Sequence, residues 1–131
     1  MSVTVERANE LFADEIGRAI LAGLPLPPDV RCYPKLEFHS KKRVLGNCKW
    51  RMSPHGYKTD IRIYLSKYML DTTEWDIRKT LAHELCHTCT GRNHDKMFKH
   101  WAKLLNDRYG YSIGTHATTE ETKIFQEASG Y

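Results

Sequence analysis

His83, Glu84 and His87 occur in the run His-Glu-Leu-Cys-His, and the His-Glu-x-x-His spacing is one that metal chemistry can use. On a helix, positions four apart are separated by about 40° around the axis and about 6 Å along it, so both imidazoles can reach the same ion. Glu84 falls beside that pair. Zinc in a catalytic site takes three protein ligands and leaves a position for water, whose pKa drops to about 7, where a carboxylate can take its proton. The competing explanation is an accidental match on a surface helix. The surroundings argue against it: Ile77, Leu81 and Leu85 form an apolar i, i+4 ladder widened by Ala82, Cys86 and Cys89, and the two histidines project from roughly the other side. A helix buried on both sides needs partners for its ionisable groups, and a metal suits two neutral imidazoles.

Two histidines leave such an ion one protein ligand short. Gly91 ends the metal helix, Asn93 is placed to cap a new one, and His94 then falls in the first turn of that helix, a tight turn away from the ion. His94 is therefore the third candidate ligand, for one zinc per chain. His39, His55, His100 and His116 read as surface histidines. His100, six residues beyond His94 on the same helix, points to a different side. Cys86 and Cys89 make a C-x-x-C, the spacing of zinc knuckles and redox pairs, but both belong to the apolar face and read as core.

The elements that must position these groups are legible as changes of period. Residues 3–22 form a helix, because Ala8, Leu11, Phe12, Ile16, Ala19 and Ile20 recur at helical spacing and Gly23 and Pro25 stop it. The proline-rich run 24–28 is a connector. The period then becomes two: Leu36 and Phe38, then Cys48, Trp50 and Met52, then Ile61, Ile63 and Leu65 alternate with polar residues, giving three half-buried strands. The turn residues of segment 53–58 join the last two as a hairpin, so the sheet is antiparallel or mixed. The metal helix begins at Thr72 or Thr73, with Asp71, Glu74 and Asp76 near the positive end of its dipole, and runs to Thr90. A third helix carries Met97, Phe98, Trp101, Leu104, Leu105 and Arg108 and ends at Gly110. The run Thr118-Thr119-Glu120-Glu121 predicts a short tail helix ending near Ala128. The class is α+β.

With 131 residues, 40% hydrophobic and 27% charged, one globular domain is expected over 1–131, its core within about 3–110. The first ten residues lack the apolar stretch of a secretory signal, and no run of about 18 apolar residues occurs, which predicts a cytoplasmic protein without a membrane partner; a monomer is expected. Cys32, Cys48, Cys86 and Cys89 are expected as free thiols in the core. Charge is uneven. Between Arg31 and Lys67 ten basic residues face two acids, Glu37 and Asp60, so that segment is +8 in a chain of net +4. Such a segment reads either as a phosphate-facing surface or as a solvated sheet face, and both remain open.

The run from His83 to His87, six intervening residues, and then His94-Asp95-Lys96-Met97-Phe98 resembles the SprT-like zinc metallopeptidase domain, the domain of Spartan-type DNA–protein crosslink proteases. The resemblance extends to the element order over about residues 3 to 110. It implies a zincin-like fold of N-terminal helix, small three-stranded sheet, metal helix and following helix. It further implies a zinc bound by His83, His87 and His94, Glu84 as general base, and an endopeptidase acting on DNA-bound or DNA-crosslinked protein. DNA contacts would then fall on Lys41, Lys42, Arg43, Lys49 and Arg51, with nucleoid or nuclear association. Many family members read His-Gly where this chain has His94-Asp95, and many end in a Cys-rich zinc ribbon, whereas no cysteine follows Cys89 here. A metzincin is excluded by the spacing to Gly91. Two alternatives stand: a YgjP-like metallohydrolase without a nucleic-acid role, whose third histidine typically lies one residue nearer, and a non-catalytic, zinc-stabilised DNA-binding module. A donor for the developing oxyanion is left unassigned among His55, Tyr57, Tyr109 and Tyr111.

Overall fold

The computed structural model of the chain describes residues 2–91 and 94–114. Helix α1 (Val5–Ala22) starts two residues later than the apolar period suggests, because the Thr4 side chain caps it by accepting from the Arg7 N–H. Gly23, at φ 95°, closes it by donating back to the Ala19 and Ile20 carbonyls, a left-handed position that glycine adopts without a side-chain clash. Ala8, Leu11, Phe12 and Ala19 form its buried stripe.

Strands β1 (Lys35–His39), β2 (Gly46–Met52) and β3 (Lys58–Ser66) make one sheet in the order β1-β3-β2. β1 runs parallel to β3 and β2 antiparallel to it, so the sheet is mixed. Phe38 pairs with Leu65, Cys48 with Ile63 and Asn47 with Tyr64. That register puts Ile61, Ile63, Leu65 and Cys48 on a buried face while Tyr64, Asn47 and Lys49 take the other. A register shift between Lys49 and Arg51 bends the far end of β2.

Helix α2 (Glu74–Thr88) is capped by Thr73, whose side chain accepts from the Asp76 N–H, and it packs against α1, β2 and β3. Every residue from Thr80 to Thr88 is buried, as expected of a helix enclosed on both sides. Helix α3 (Lys96–Tyr109) packs on α2 and α1. It is capped by Asp95, two residues beyond the expected cap, whose carboxylate reaches the third N–H of the first turn and accepts from Phe98; Asn93 lies outside the described residues. His94 consequently precedes the helix rather than lying in its first turn. Cys32 is also displaced from expectation, being exposed at the end of a short turn, while Cys48 and Cys86 are buried. The predicted tail helix near residues 118–128 lies outside the described residues. Among the described residues no helix is long and apolar enough to cross a membrane.

One polar cluster ties the layers together. Arg78 of α2 donates to Asp14 at 2.5 Å and to Glu15 at 2.7 Å on α1, and the Tyr111 hydroxyl donates to Glu15 at 2.5 Å. Burial pushes the Glu15 carboxyl above its usual range, against the pull of these hydrogen bonds from Tyr111 and Arg78.

Candidate metal centre

Helix α2 sets His83 and His87 one turn apart with ring centroids separated by 5.0 Å. The chain must then turn sharply to deliver a third histidine, and the turn is fastened from β3. The Lys58 ammonium donates to the His87 carbonyl at 3.1 Å, the Thr88 carbonyl at 3.0 Å and the Thr90 carbonyl at 2.5 Å, and it lies 4.1 Å from the centre of the Trp50 ring. These carbonyls lie at and just past the end of α2, where the helical ladder runs out, and a cation there also suits the negative end of the dipole. Thr90 adds a bond from its hydroxyl to the Cys86 carbonyl at 2.8 Å.

Beyond the turn, the Gly91 carbonyl lies 2.6 Å from His87 Nδ1. A carbonyl only accepts, so Nδ1 carries the proton and Nε2 is left with the lone pair that a metal requires. His94 closes the group, its ring centroid 5.3 Å from that of His83 and 5.1 Å from that of His87. Phe98, fully buried in the first turn of α3, presses its ring against all three, at centroid distances of 5.0, 4.5 and 4.5 Å from His83, His87 and His94. The Asp95 cap fixes that first turn, so one carboxylate sets the height of the aromatic floor.

One ligand atom from each of His83, His87 and His94 lies within 4.8 Å of the others, so the three could hold a metal ion. Their protonation fits. Burial, reinforced by the neighbouring His87, His94 and Lys79, holds His83 well below the ordinary imidazole pKa. Burial likewise pushes His87 down to about 4, against the opposing hydrogen bond to Gly91. Neutral imidazoles are the form that ligates. Burial raises the nearby Cys86 thiol well above the usual thiol pKa and raises Cys89 too, as suits two residues of the apolar face.

Glu84 is fully buried between the two α2 histidines in sequence, and what flanks it is β2. A Cβ added to Gly46 would stand 2.9 Å from Thr80 Cγ2 and 3.1 Å from Glu84 Oε2. The strand therefore crosses the helix at the carboxylate at a distance only glycine permits. Sequence reasoning passed over Gly46, Lys58, Asp95 and Phe98. A glycine opening a strand of bulky residues was the available signal for the first; the other three read as ordinary surface or core residues.

The remaining candidates separate. Lys41, Lys42 and Arg43, in the β1–β2 connection, and Lys49 on β2 are exposed. Arg51 is exposed as well, with Asp60 at 3.7 Å. Lys58 has left the basic field for the helix end, and Arg62 pairs with Glu37 and Asp60. The Tyr109 and Tyr111 hydroxyls donate to the Arg18 carbonyl and to Glu15, which commits both to α1 rather than to an oxyanion. His55 and Tyr57 stack on each other at the hairpin tip, centroids 6.4 Å apart. His116 lies outside the described residues.

The SprT-like family model matches residues 8–121, a span that holds both α2 histidines, Glu84 and His94. No curated protein matches the chain.

Proposed function

We propose that this chain, which belongs to the SprT-like family, is a zinc-dependent endopeptidase that cuts proteins bound or crosslinked to DNA. The observation that carries the catalytic half is the convergence of three histidines with a buried carboxylate on the same helix. His83, His87 and His94 would hold the ion. Bound zinc supplies Lewis acidity, which brings the pKa of a water to about 7 and polarises a peptide carbonyl. Glu84 would accept a proton from the attacking water on a carboxylate oxygen and return it to the leaving amine, as the water oxygen adds to the carbonyl carbon and the C–N bond breaks. Gly46 lets β2 pass close enough to hold the carboxylate in place. β2 is an edge of the three-stranded sheet, so an extended substrate could pair along it beside Glu84.

The DNA half is supported by exposed Lys41, Lys42, Arg43, Lys49 and Arg51, which leave a positive field on the outer side of β2 and its preceding connection. In this reading the protein works as a monomer, in the cytoplasm or in association with a nucleoid or nucleus. The deciding experiment is cleavage of a DNA-binding protein by zinc-loaded chain, with and without single-stranded DNA, for the wild type and Glu84→Gln. Cleavage that rises with DNA, and that vanishes in a Glu84→Gln variant of undiminished zinc content, is expected. Cleavage indifferent to DNA would leave a plain metallohydrolase, and full activity of Glu84→Gln would remove Glu84 from the mechanism.

A further inference from the structure

On the face of the sheet turned away from α2 there is a cavity of about 170 Å³, lined by His39, Lys41, Val44, Asn47, Lys49 and Tyr64. Its polar groups point to a single chemistry. The Lys41 backbone N–H donates to His39 Nδ1 at 3.1 Å, so that nitrogen spends its lone pair and the ring proton belongs on Nε2. Nε2 is buried with no hydrogen-bond partner among the described residues. Asn47 accepts the Cys48 N–H with its oxygen at 2.9 Å, which leaves the NH2 end with donor capacity. Lys41 and Lys49 add two cations, the latter 5.4 Å from the centre of the Tyr64 ring. Among the described residues no carboxylate lines the cavity. Glu37 is the acid paired with Tyr64 across the sheet, and it is taken by Arg62 at 2.6 Å. A small cavity lined by two lysines, a histidine, an asparagine and a tyrosine suits an oxyanion with several accepting oxygens.

We propose that this cavity is a phosphate subsite which, if the DNA-associated reading above holds, seats one backbone phosphodiester of the bound strand. That nucleic-acid assignment rests on the proposed function; the phosphate chemistry does not. Two further observations favour a nucleic acid as the source. Exposed Lys42 and Arg43 continue the positive surface from the cavity mouth, and the Tyr68 ring, with Lys42 5.2 Å from its centre, leaves a half-exposed aromatic beside them. Asn47 also directly follows Gly46, whose opposite face touches Glu84. A phosphate seated at Asn47 would thus bear on the same short stretch of β2 that flanks the candidate catalytic carboxylate. Burial, followed by Lys41 and Lys49, holds His39 below the ordinary imidazole pKa, a penalty that an anion between them would relieve.

The test uses the zinc-loaded full chain and two probes. Inorganic phosphate is titrated against chloride at equal ionic strength while the NMR shifts of the His39 ring and of the Lys41, Asn47 and Lys49 amides are followed. A labelled single-stranded oligonucleotide is titrated in parallel by anisotropy. Lys41→Met/Lys49→Met removes two charges from the cavity, and Lys35→Met/Lys67→Met removes two from elsewhere on the surface. Phosphate should shift the His39 group where chloride does not. The cavity pair should weaken both ligands by about tenfold, and the distant pair should weaken the oligonucleotide by only about twofold. Equal loss in the two pairs, or no shift at His39 with phosphate, overturns the subsite even if the oligonucleotide binds, and leaves the DNA reading standing. Phosphate binding at His39 without oligonucleotide binding establishes the subsite for free phosphate and overturns its nucleic-acid half.

Discussion

Adding a single methyl group at Gly46 probes whether β2 positions the carboxylate. The alanine Cβ would meet Thr80 Cγ2 at 2.9 Å, Glu84 Oε2 at 3.1 Å and Glu84 Cγ at 3.4 Å. Two carbons rest at about 3.5–4.0 Å, so the Thr80 contact alone must open by roughly 0.6–1 Å. Helix α2 has no room to retreat, since Thr80 to Thr88 are all buried, and the movement falls on edge strand β2 and on the Glu84 side chain. Overpacking of this kind costs about 1–3 kcal/mol, or a Tm lower by roughly 3–15 °C. Displacement of a reacting group by about 1 Å costs on the order of 100-fold in rate. Gly46→Ala should therefore keep its zinc, because the three histidines are untouched, yet lose about 10- to 100-fold in kcat/KM. The companion Gly46→Ala/Thr80→Ser lacks Cγ2 but keeps the hydroxyl that donates to the Asp76 carbonyl at 2.9 Å. It should recover most of the Tm while activity stays low, because the contact with Glu84 Oε2 persists. Thermal denaturation and peptidase assays on both variants measure this. A Gly46→Ala protein with wild-type Tm and activity, or a double variant with no recovery of Tm, would refute the reasoning.

Three further outcomes are expected. His94→Ala should reduce zinc retained after dialysis far more than His100→Ala, since three histidines converge and His100 packs instead on Trp101 at 4.7 Å; equal retention would remove His94 from the ligand set. Lys58→Met should cost about 2 kcal/mol in the metal-free protein and weaken zinc by about tenfold, because the turn that carries Gly91 to His87 loses its charged donor; unchanged zinc affinity would confine Lys58 to stability. In the metal-free protein, burial takes His87 from 6.5 in the unfolded chain to about 4 in the folded one, so between those values the unfolded state binds more protons. The stability this group contributes is complete above about pH 6.5 and is lost as pH falls through about 4, with a total of about 3 kcal/mol; urea midpoints flat across that window would contradict it.

The parts of the molecule that were legible in sequence are those governed by local periodicity. α2 could be placed because its histidines and apolar ladder share one helical repeat, and the sheet because Ile61, Ile63 and Leu65 alternate strictly. The β1–β3 parallel pairing was less accessible, since strand order depends on which edge β2 takes after the hairpin. Cap identity slipped by two residues at α3 because Asn93 and Asp95 are both good caps, and only the position of the Phe98 N–H distinguishes them. Lys58 was read as one of ten basic residues in a charged stretch; its role depends on the approach of β3 to a helix end 30 residues later in the chain. Gly46 and Phe98 belong to the same class. Each looks generic in one dimension and acquires meaning from a contact between elements.

β2 gathers these long-range contacts into one element. Successive residues of a strand face opposite ways, so Gly46 and Cys48 turn toward α2 while Asn47 and Lys49 turn outward. A displacement of the strand normal to the sheet, of the few tenths of an ångström that a bound ligand can impose, changes the distance to Glu84 on one face and the shape of the cation-lined cavity on the other. The hydrogen-bonded register with β3 holds β2 along one side only, because β2 is an edge, and its pairing shifts between Lys49 and Arg51. The three histidines lie on α2 and on the link to α3, where Lys58, Gly91 and Asp95 fix them, and β2 touches that turn through Trp50, whose ring centre is 4.1 Å from the Lys58 ammonium. The carboxylate therefore lies closer to the outer face of β2 than the candidate metal ligands do: a change at Asn47 or Lys49 should alter turnover more than zinc affinity.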